Sequence, residues 1–109
     1  MDLKDYQQGA LRTAAPRDKH NELLHLVLGL VGESGEIAEK FKKWVRDQGS
    51  DESRIDRDDI AKELGDVLWY VAVLADYLDL SLDDIAAANL DKLASRQHRG
   101  VLGGSGDNR

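Results

Sequence analysis

Two short stretches of the sequence, ESGE at residues 33–36 and ELGD at residues 63–66, each carry two acids three positions apart. Both stretches lie in segments with helical periodicity, where residues at this spacing project from one side of the helix, about one turn apart. Two such helices packed antiparallel can bring four carboxylates to one point. Because clustered carboxylates repel one another unless a cation lies among them, the pattern predicts a Mg²⁺ site, with Mn²⁺ as a substitute, whose ligands are Glu33, Glu36, Glu63 and Asp66.

The composition confines the chain to one small domain. Its 109 residues carry a formal net charge of −6, with 15 Lys and Arg against 21 Asp and Glu, and they include no cysteine. The absence of cysteine excludes disulfides, zinc thiolate sites and thiol nucleophiles, and an acidic chain without a basic stripe is a poor candidate for binding nucleic acid. Since the sequence has no membrane-spanning run and no signal peptide, we expect a cytoplasmic protein.

Apolar residues recur at helical spacing along four segments, and no segment has the pattern of a strand. This periodicity predicts an all-α fold, and without strands the P-loop and Rossmann nucleotide sites are excluded. The predicted helices cover residues 2–14, 19–47, about 58–79, and 82 to 96 or beyond. We expect residues 1–99 to form one all-α domain, and residues 100–109 to form a flexible Gly-rich tail.

Short polar residues mark where these helices are expected to begin. Asp18 is the predicted N-cap of the second helix, and Asp58 or Asp59 is the predicted N-cap of the third. Ser81, with Asp84 three positions later, resembles a capping box at the start of the fourth.

The third helix has almost no polar face between Val67 and Leu78. A monomer of this size cannot easily surround such a helix. We therefore expect a bundle of about four helices whose four-helix-bundle core is completed by oligomerisation.

The acid pairs also have a simpler interpretation, because ordinary ion pairs on a helix surface have the same spacing. Lys40 lies four positions after Glu36, and Lys62 lies four positions before Asp66. Against this interpretation, both acid pairs flank the apolar stripe and lack an obvious buried basic partner, and burying unpaired carboxylates is costly. Glycines at positions 29, 32 and 35 indicate either close helix packing or room for a ligand.

Beyond these features, the sequence resembles the MazG-like nucleoside triphosphate pyrophosphohydrolases of the all-α NTP pyrophosphatase superfamily. The family pattern is Glu-Glu-x-x-Glu, a spacer, and then Glu-x-x-Asp. The resemblance is carried by residues 29–40 and 62–70, and it extends to Tyr6-Gln7, residues 89–93 and residues 103–109. This chain departs from the pattern at the first acid, where it has Gly32.

The resemblance implies Mg²⁺-dependent hydrolysis of a nucleoside triphosphate, here a dNTP by expectation, between the α- and β-phosphates. The products are a nucleoside monophosphate and pyrophosphate. The implied biological role is house-cleaning or control of the nucleotide pool. It also implies a homodimer, or a dimer-of-dimers tetramer, built from four-helix bundles. On this interpretation, Glu36 or Glu33 accepts the proton of the attacking water.

The same resemblance gives roles to residues that would contact the nucleotide. Lys43, Lys92 and Arg96 are candidates to hold phosphate oxygens. Tyr70 is a candidate to border the nucleoside, with a place in the oligomer core as the alternative, and Asn89 is a candidate for a sugar or phosphate contact.

Two other functions remain open from the sequence. One is a helical oligomerisation module that binds nucleotide or metal without turnover. The other is a related pyrophosphohydrolase that acts on phosphoribosyl-ATP or on a guanosine tetraphosphate signal.

Overall fold

The computed structural model of the protein describes residues 1–15 and 19–100 together with Gly103 and Gly106, apart from the side chains of residues 19 and 20. Over these residues the chain forms four α-helices and no strand, which confirms the all-α prediction. The helices are α1 (Leu3–Leu11), α2 (Lys19–Gln48), α3 (Arg57–Tyr77) and α4 (Leu82–Arg99), with a 3₁₀ turn at Glu52–Arg54. None of these helices is long and apolar enough to cross a membrane.

The helix starts agree with the predicted caps at one helix and differ at another. α4 begins after Ser81, whose hydroxyl accepts a hydrogen bond from the Asp84 N–H at 3.3 Å, as predicted. α3 begins after Asp56, not after Asp58 or Asp59, because the Asp56 carboxylate accepts the Asp59 N–H at 3.1 Å. The predicted cap Asp18 lies outside the described residues.

The helix ends differ from the predictions by a few residues. α1 ends at Leu11, before the predicted end at residue 14, and α4 continues to Arg99, where Gly100 follows with a φ of 74°. Most of the predicted tail lies outside the described residues, so the boundary between the domain and a flexible tail stays a prediction.

Helix α3 is the centre of the fold, since it contacts each of the other three helices. Its contacts with α2 run in opposite sequence order: Lys40 meets Asp59, whereas Gly29 meets Tyr70. The two helices are therefore antiparallel, as the carboxylate prediction requires. A Cβ added at Gly29 would lie 2.2 Å from the Tyr70 ring, so this glycine allows close packing. A Cβ added at Gly32 or Gly35 would meet no atom of another part of the described chain within 4 Å.

A buried glutamine ties α1 to the second half of α3 and to the turn that follows it. The Gln7 side-chain N–H group donates to the carbonyls of Ala72 and Leu80, each at 3.1 Å, and its side-chain oxygen accepts the Leu82 N–H at 3.0 Å. These bonds satisfy three backbone groups near a bend between two helices. Beside them, the Trp69 indole N–H donates to the carbonyl of Ala10.

The core of the single chain is small. Its buried hydrophobic residues are Ala10, Leu26, Ala72, Val73, Ala75 and Leu82. Many large apolar side chains stay exposed, in particular Leu24, Leu28 and Val31 on α2 and Leu64 and Leu68 on α3. The radius of gyration is 17.0 Å, whereas a compact chain of this length has about 13 Å.

The apolar part of α3 is only partly covered within one chain. α1 and α4 pack against α3, and Ala72, Val73 and Ala75 are buried. Leu68 and Leu78, from the same apolar segment, remain exposed. Completion of the core by a second chain stays a prediction.

Candidate functional site

Three of the four predicted metal ligands lie together between α2 and α3. Glu33 and Glu36 on α2 and Glu63 on α3 each offer one carboxylate oxygen, and these oxygens lie within 4.8 Å of one another. The three-residue spacing places both α2 acids on the side that faces α3, and the antiparallel packing brings Glu63 opposite them. We call these three residues the glutamate cluster.

Part of the glutamate cluster is removed from water. One carboxylate oxygen each of Glu33 and Glu63 is buried and has no hydrogen-bond partner. Burial raises the pKa of Glu63, and the neighbouring Glu36 carboxyl raises that pKa further. Carboxylate oxygens without a donor are costly to bury unless a cation meets them. An all-oxygen set with two unpartnered oxygens therefore fits a hard divalent ion such as Mg²⁺.

The fourth predicted ligand, Asp66, lies outside the glutamate cluster. It is exposed on α3, three residues beyond Glu63, and its negative charge contributes to the raised pKa of Glu63. It also lies near Tyr6 on α1, whose pKa is raised by burial of the phenol and by the Asp66 charge. Asp66 thus faces the side where α1 packs, at the edge of the site.

Lys40 pairs across the helix interface, not along its own helix. Its ammonium lies 2.5 Å from an Asp59 carboxylate oxygen and 3.8 Å from Glu63 Oε1, whereas no ion pair joins it to Glu36. The hydrogen bond with Asp59 raises the pKa of Lys40. The sequence predicts no buried basic partner for the acids, and Lys40 is 35% exposed. It still lies close to Glu63, because the antiparallel packing brings this residue of α2 opposite α3.

The other predicted surface pair is also not formed: among the described residues, no ion pair joins Lys62 to Asp66. Both side chains are on exposed positions of α3. The simple surface-pair interpretation therefore accounts for neither acid pair.

A cavity of about 240 Å³ lies beside the glutamate cluster, between the second half of α2, the connection and the start of α3. Phe41 and Trp44 form an edge-to-face pair in its wall, with ring centroids 5.6 Å apart. Lys43, a predicted phosphate ligand, also lines it. The remaining lining residues are Lys40, Asp47, Gln48, Arg54, Ile55, Asp56, Asp59 and Ile60.

The other predicted substrate residues lie on α3 and α4. The Tyr70 ring packs against Gly29 and meets Trp69 edge-to-face at 4.9 Å, so it is half-buried inside one chain. Asn89 and Lys92 are exposed on α4, whereas Arg96 is buried, with 3% of its surface exposed. Since α4 packs against α1 and α3, these three residues lie on none of the elements that form the cavity.

Sequence reasoning missed two residues that shape the site. Asp59 lies four positions before Glu63 and thus on the same face of α3, and Lys40 has the same relation to Glu36 on α2. In an antiparallel pair aligned at Glu36 and Glu63, Lys40 and Asp59 must meet. The signal was present, but using it requires the register of the two helices.

Comparisons with known proteins relate the chain to one family. Residues 21–101 match the family model of the MazG nucleotide pyrophosphohydrolase domain. The chain is 52% identical over 92 residues to the Gene 37 protein of Mycobacterium phage L5, covering 84% of this chain and 81% of the phage protein. It is 32% identical over 72 residues to the uncharacterized protein YvdC of Bacillus subtilis (strain 168), covering 62% of this chain and 68% of that protein. No solved structure matches.

Proposed function

Because the chain belongs to the family of the MazG nucleotide pyrophosphohydrolase domain, we propose that it hydrolyses nucleoside triphosphates, in particular dNTPs, between the α- and β-phosphates. The products are a nucleoside monophosphate and pyrophosphate, and the role is nucleotide-pool control or house-cleaning. The observation that supports the proposal best is the glutamate cluster, with its two buried and unpartnered oxygens.

The residues that would hold Mg²⁺ are Glu33, Glu36 and Glu63, with Asp66 as a fourth acid at the edge. When bound, Mg²⁺ neutralises charge on the phosphate oxygens and lowers the pKa of the attacking water. The protein's own contribution is to fix the acids on two packed helices, so that little reorganisation is needed when a nucleotide arrives.

Glu36 is the better of the two candidates for the general base. A base must reach a water molecule, and the Glu36 side chain is exposed, whereas Glu33 is half-buried with one oxygen fully removed from solvent. In this assignment Glu33 serves as a ligand, and Glu36 lies where solvent enters the cluster.

Lys43 is the best supported of the proposed phosphate contacts, because it lines the cavity beside the glutamate cluster. Lys92, Arg96 and Asn89 lie on α4, which contributes no residue to the lining of this cavity, so the single chain lends their proposed phosphate and sugar contacts less support. Tyr70 is packed against Gly29, which supports a structural role for its ring and leaves its edge to border the nucleoside.

We also propose that the protein is a homodimer or a dimer of such dimers. The support is the row of exposed apolar side chains on α2 and α3, including Leu24, Leu28 and Leu64, together with the small core of the single chain. Covering these side chains with a second copy would complete a four-helix bundle and remove a large apolar surface from water.

The activity is tested by incubating the purified protein with each dNTP and Mg²⁺ and measuring pyrophosphate and orthophosphate separately. We expect pyrophosphate and the monophosphate as primary products, and no turnover in EDTA. Orthophosphate as the primary product would contradict cleavage between the α- and β-phosphates. Tight nucleotide binding without hydrolysis would instead identify a binding module, and turnover restricted to phosphoribosyl-ATP or guanosine tetraphosphate would move the chain to a related activity.

A further inference from the structure

Lys40 lies where it can act on whatever cation the glutamate cluster holds. We propose that Lys40, held by Asp59, is a built-in counter-ion that weakens binding of a bare divalent ion and favours an ion that arrives with a polyphosphate. The expected effect on nucleotide binding rests on the proposed function, whereas the expected effect on a bare divalent ion does not.

The geometry fixes Lys40 between the cluster and Asp59. Its ammonium is 2.5 Å from Asp59 Oδ2 and 3.8 Å from Glu63 Oε1. Asp59 lies one turn before Glu63 on α3, so the lysine spans the interface between the two helices. The Lys40 side chain is 35% exposed, which leaves its charge less screened than that of a fully exposed lysine.

Coulomb's law then gives the sign of the effect on a bare ion. A unit positive charge within a few ångströms of Glu63 offsets part of the repulsion among the three carboxylates and repels an incoming divalent cation. Removing that charge leaves the cluster more negative, so the cluster should bind a bare divalent ion more tightly. Asp59 works in the other direction, because its carboxylate holds the ammonium away from the cluster.

The effect on a nucleotide should have the opposite sign. Lys40 also lines the 240 Å³ cavity, together with Lys43 and with Asp59, the partner of its ammonium, so the Lys40 side chain borders this space. A triphosphate that carries its own Mg²⁺ brings negative oxygens into this space, and the lysine attracts them. One residue thus disfavours the bare ion and favours the ion bound to substrate.

The first test titrates Mn²⁺ into the nucleotide-free protein and measures free Mn²⁺ by electron paramagnetic resonance. The expected result for Lys40→Met is binding tighter by roughly threefold to tenfold, as the loss of one partly screened charge implies. Asp59→Asn should bind Mn²⁺ more weakly, and Lys40→Arg should stay near the wild type. The matched control is Lys42→Met, because within the described part of the chain Lys42 pairs with Glu39 alone, at 4.0 Å and on the exposed side of α2.

The second test measures steady-state hydrolysis with saturating Mg²⁺. We expect Lys40→Met to raise KM for the nucleotide by roughly threefold or more while changing kcat less, as loss of one charged phosphate contact implies. A merely structural role for Lys40 would weaken both Mn²⁺ binding and nucleotide binding, so the opposite signs distinguish the two explanations.

Several outcomes decide the inference. Unchanged or weaker Mn²⁺ binding by Lys40→Met, with helicity retained by circular dichroism, would overturn it, and so would a wild-type protein that binds no Mn²⁺. If Lys40→Met does not fold, the weaker binding expected of Asp59→Asn carries the test. If the wild type binds Mn²⁺ but hydrolyses no nucleotide, the proposed function fails while the Mn²⁺ series still decides the role of Lys40.

Discussion

The two halves of α3 are built for different purposes. The second half is held by neutral packing and hydrogen bonds: Ala72, Val73 and Ala75 are buried, and Gln7 ties this half to α1 and α4. The first half packs against α2 through charged groups, with Glu63 beside two other acids and one lysine. The fold is therefore anchored at one end of α3, whereas the charged end keeps buried carboxylate oxygens of Glu33 and Glu63 without a partner, at a cost in stability.

The largest effect is expected from a substitution that changes only the charged half of α3. Glu63→Gln removes one negative ligand while keeping the shape of the side chain. We expect loss of pyrophosphate release by more than roughly 100-fold, since even outer partners of metal ligands contribute 10–100-fold. Far-ultraviolet circular dichroism should show retained helicity. The control is Asp58→Asn, which changes an exposed acid in the first turn of the same helix; full activity in Glu63→Gln would remove Glu63 from the site.

The second prediction concerns a substitution that weakens only the contacts of the second half of α3. Gln7→Ala removes three hydrogen bonds to backbone groups of Ala72, Leu80 and Leu82. Buried groups left without partners should lower the free energy of unfolding by about 2–5 kcal/mol. Urea denaturation measures this change, and the matched control is Gln8→Ala, at an exposed neighbouring position. Equal stability of the two variants would show that the anchor is not at Gln7.

The sequence is sufficient to predict four helices, because periodicity and capping residues are local signals. It also places Glu33, Glu36 and Glu63 correctly as neighbours, since the spacing and an antiparallel pairing suffice for that. It does not predict that Asp56 caps α3 or that Lys40 reaches Asp59. The first depends on how the connection turns, and the second depends on the register between α2 and α3, which is set by packing of side chains distant in sequence.

The third prediction tests that register at the contact between Gly29 on α2 and Tyr70 on α3. In Gly29→Ala the new methyl group would lie 2.2 Å from the Tyr70 ring, so the helices or the ring must shift. We expect destabilisation of about 1–3 kcal/mol by overpacking. In the control Gly32→Ala, the new methyl group would meet no other described part of the chain within 4 Å, and the substitution should stabilise the helix by up to about 1 kcal/mol. Equal effects of the two substitutions in urea denaturation would contradict the close contact.

The smallest effect concerns the pH dependence of stability in the charged half. Because burial and the Glu36 carboxyl raise the pKa of Glu63 above its ordinary value of 4.5, the folded protein holds this proton more tightly than the unfolded chain does. The resulting stabilisation is present below pH 4.5 and is lost as the pH rises through the raised pKa. In EDTA, the Tm of the wild type should therefore fall relative to that of Glu63→Gln over this window, whereas Glu39→Gln, on the exposed side of α2, should run parallel to the wild type.

Adding Mg²⁺ above the window should raise the Tm of the wild type more than that of Glu63→Gln, because the ion replaces the lost proton as the partner of the buried oxygens. A Tm difference between the wild type and Glu63→Gln that is independent of both pH and Mg²⁺ would mean that the cluster carries no electrostatic stress for a cation to relieve.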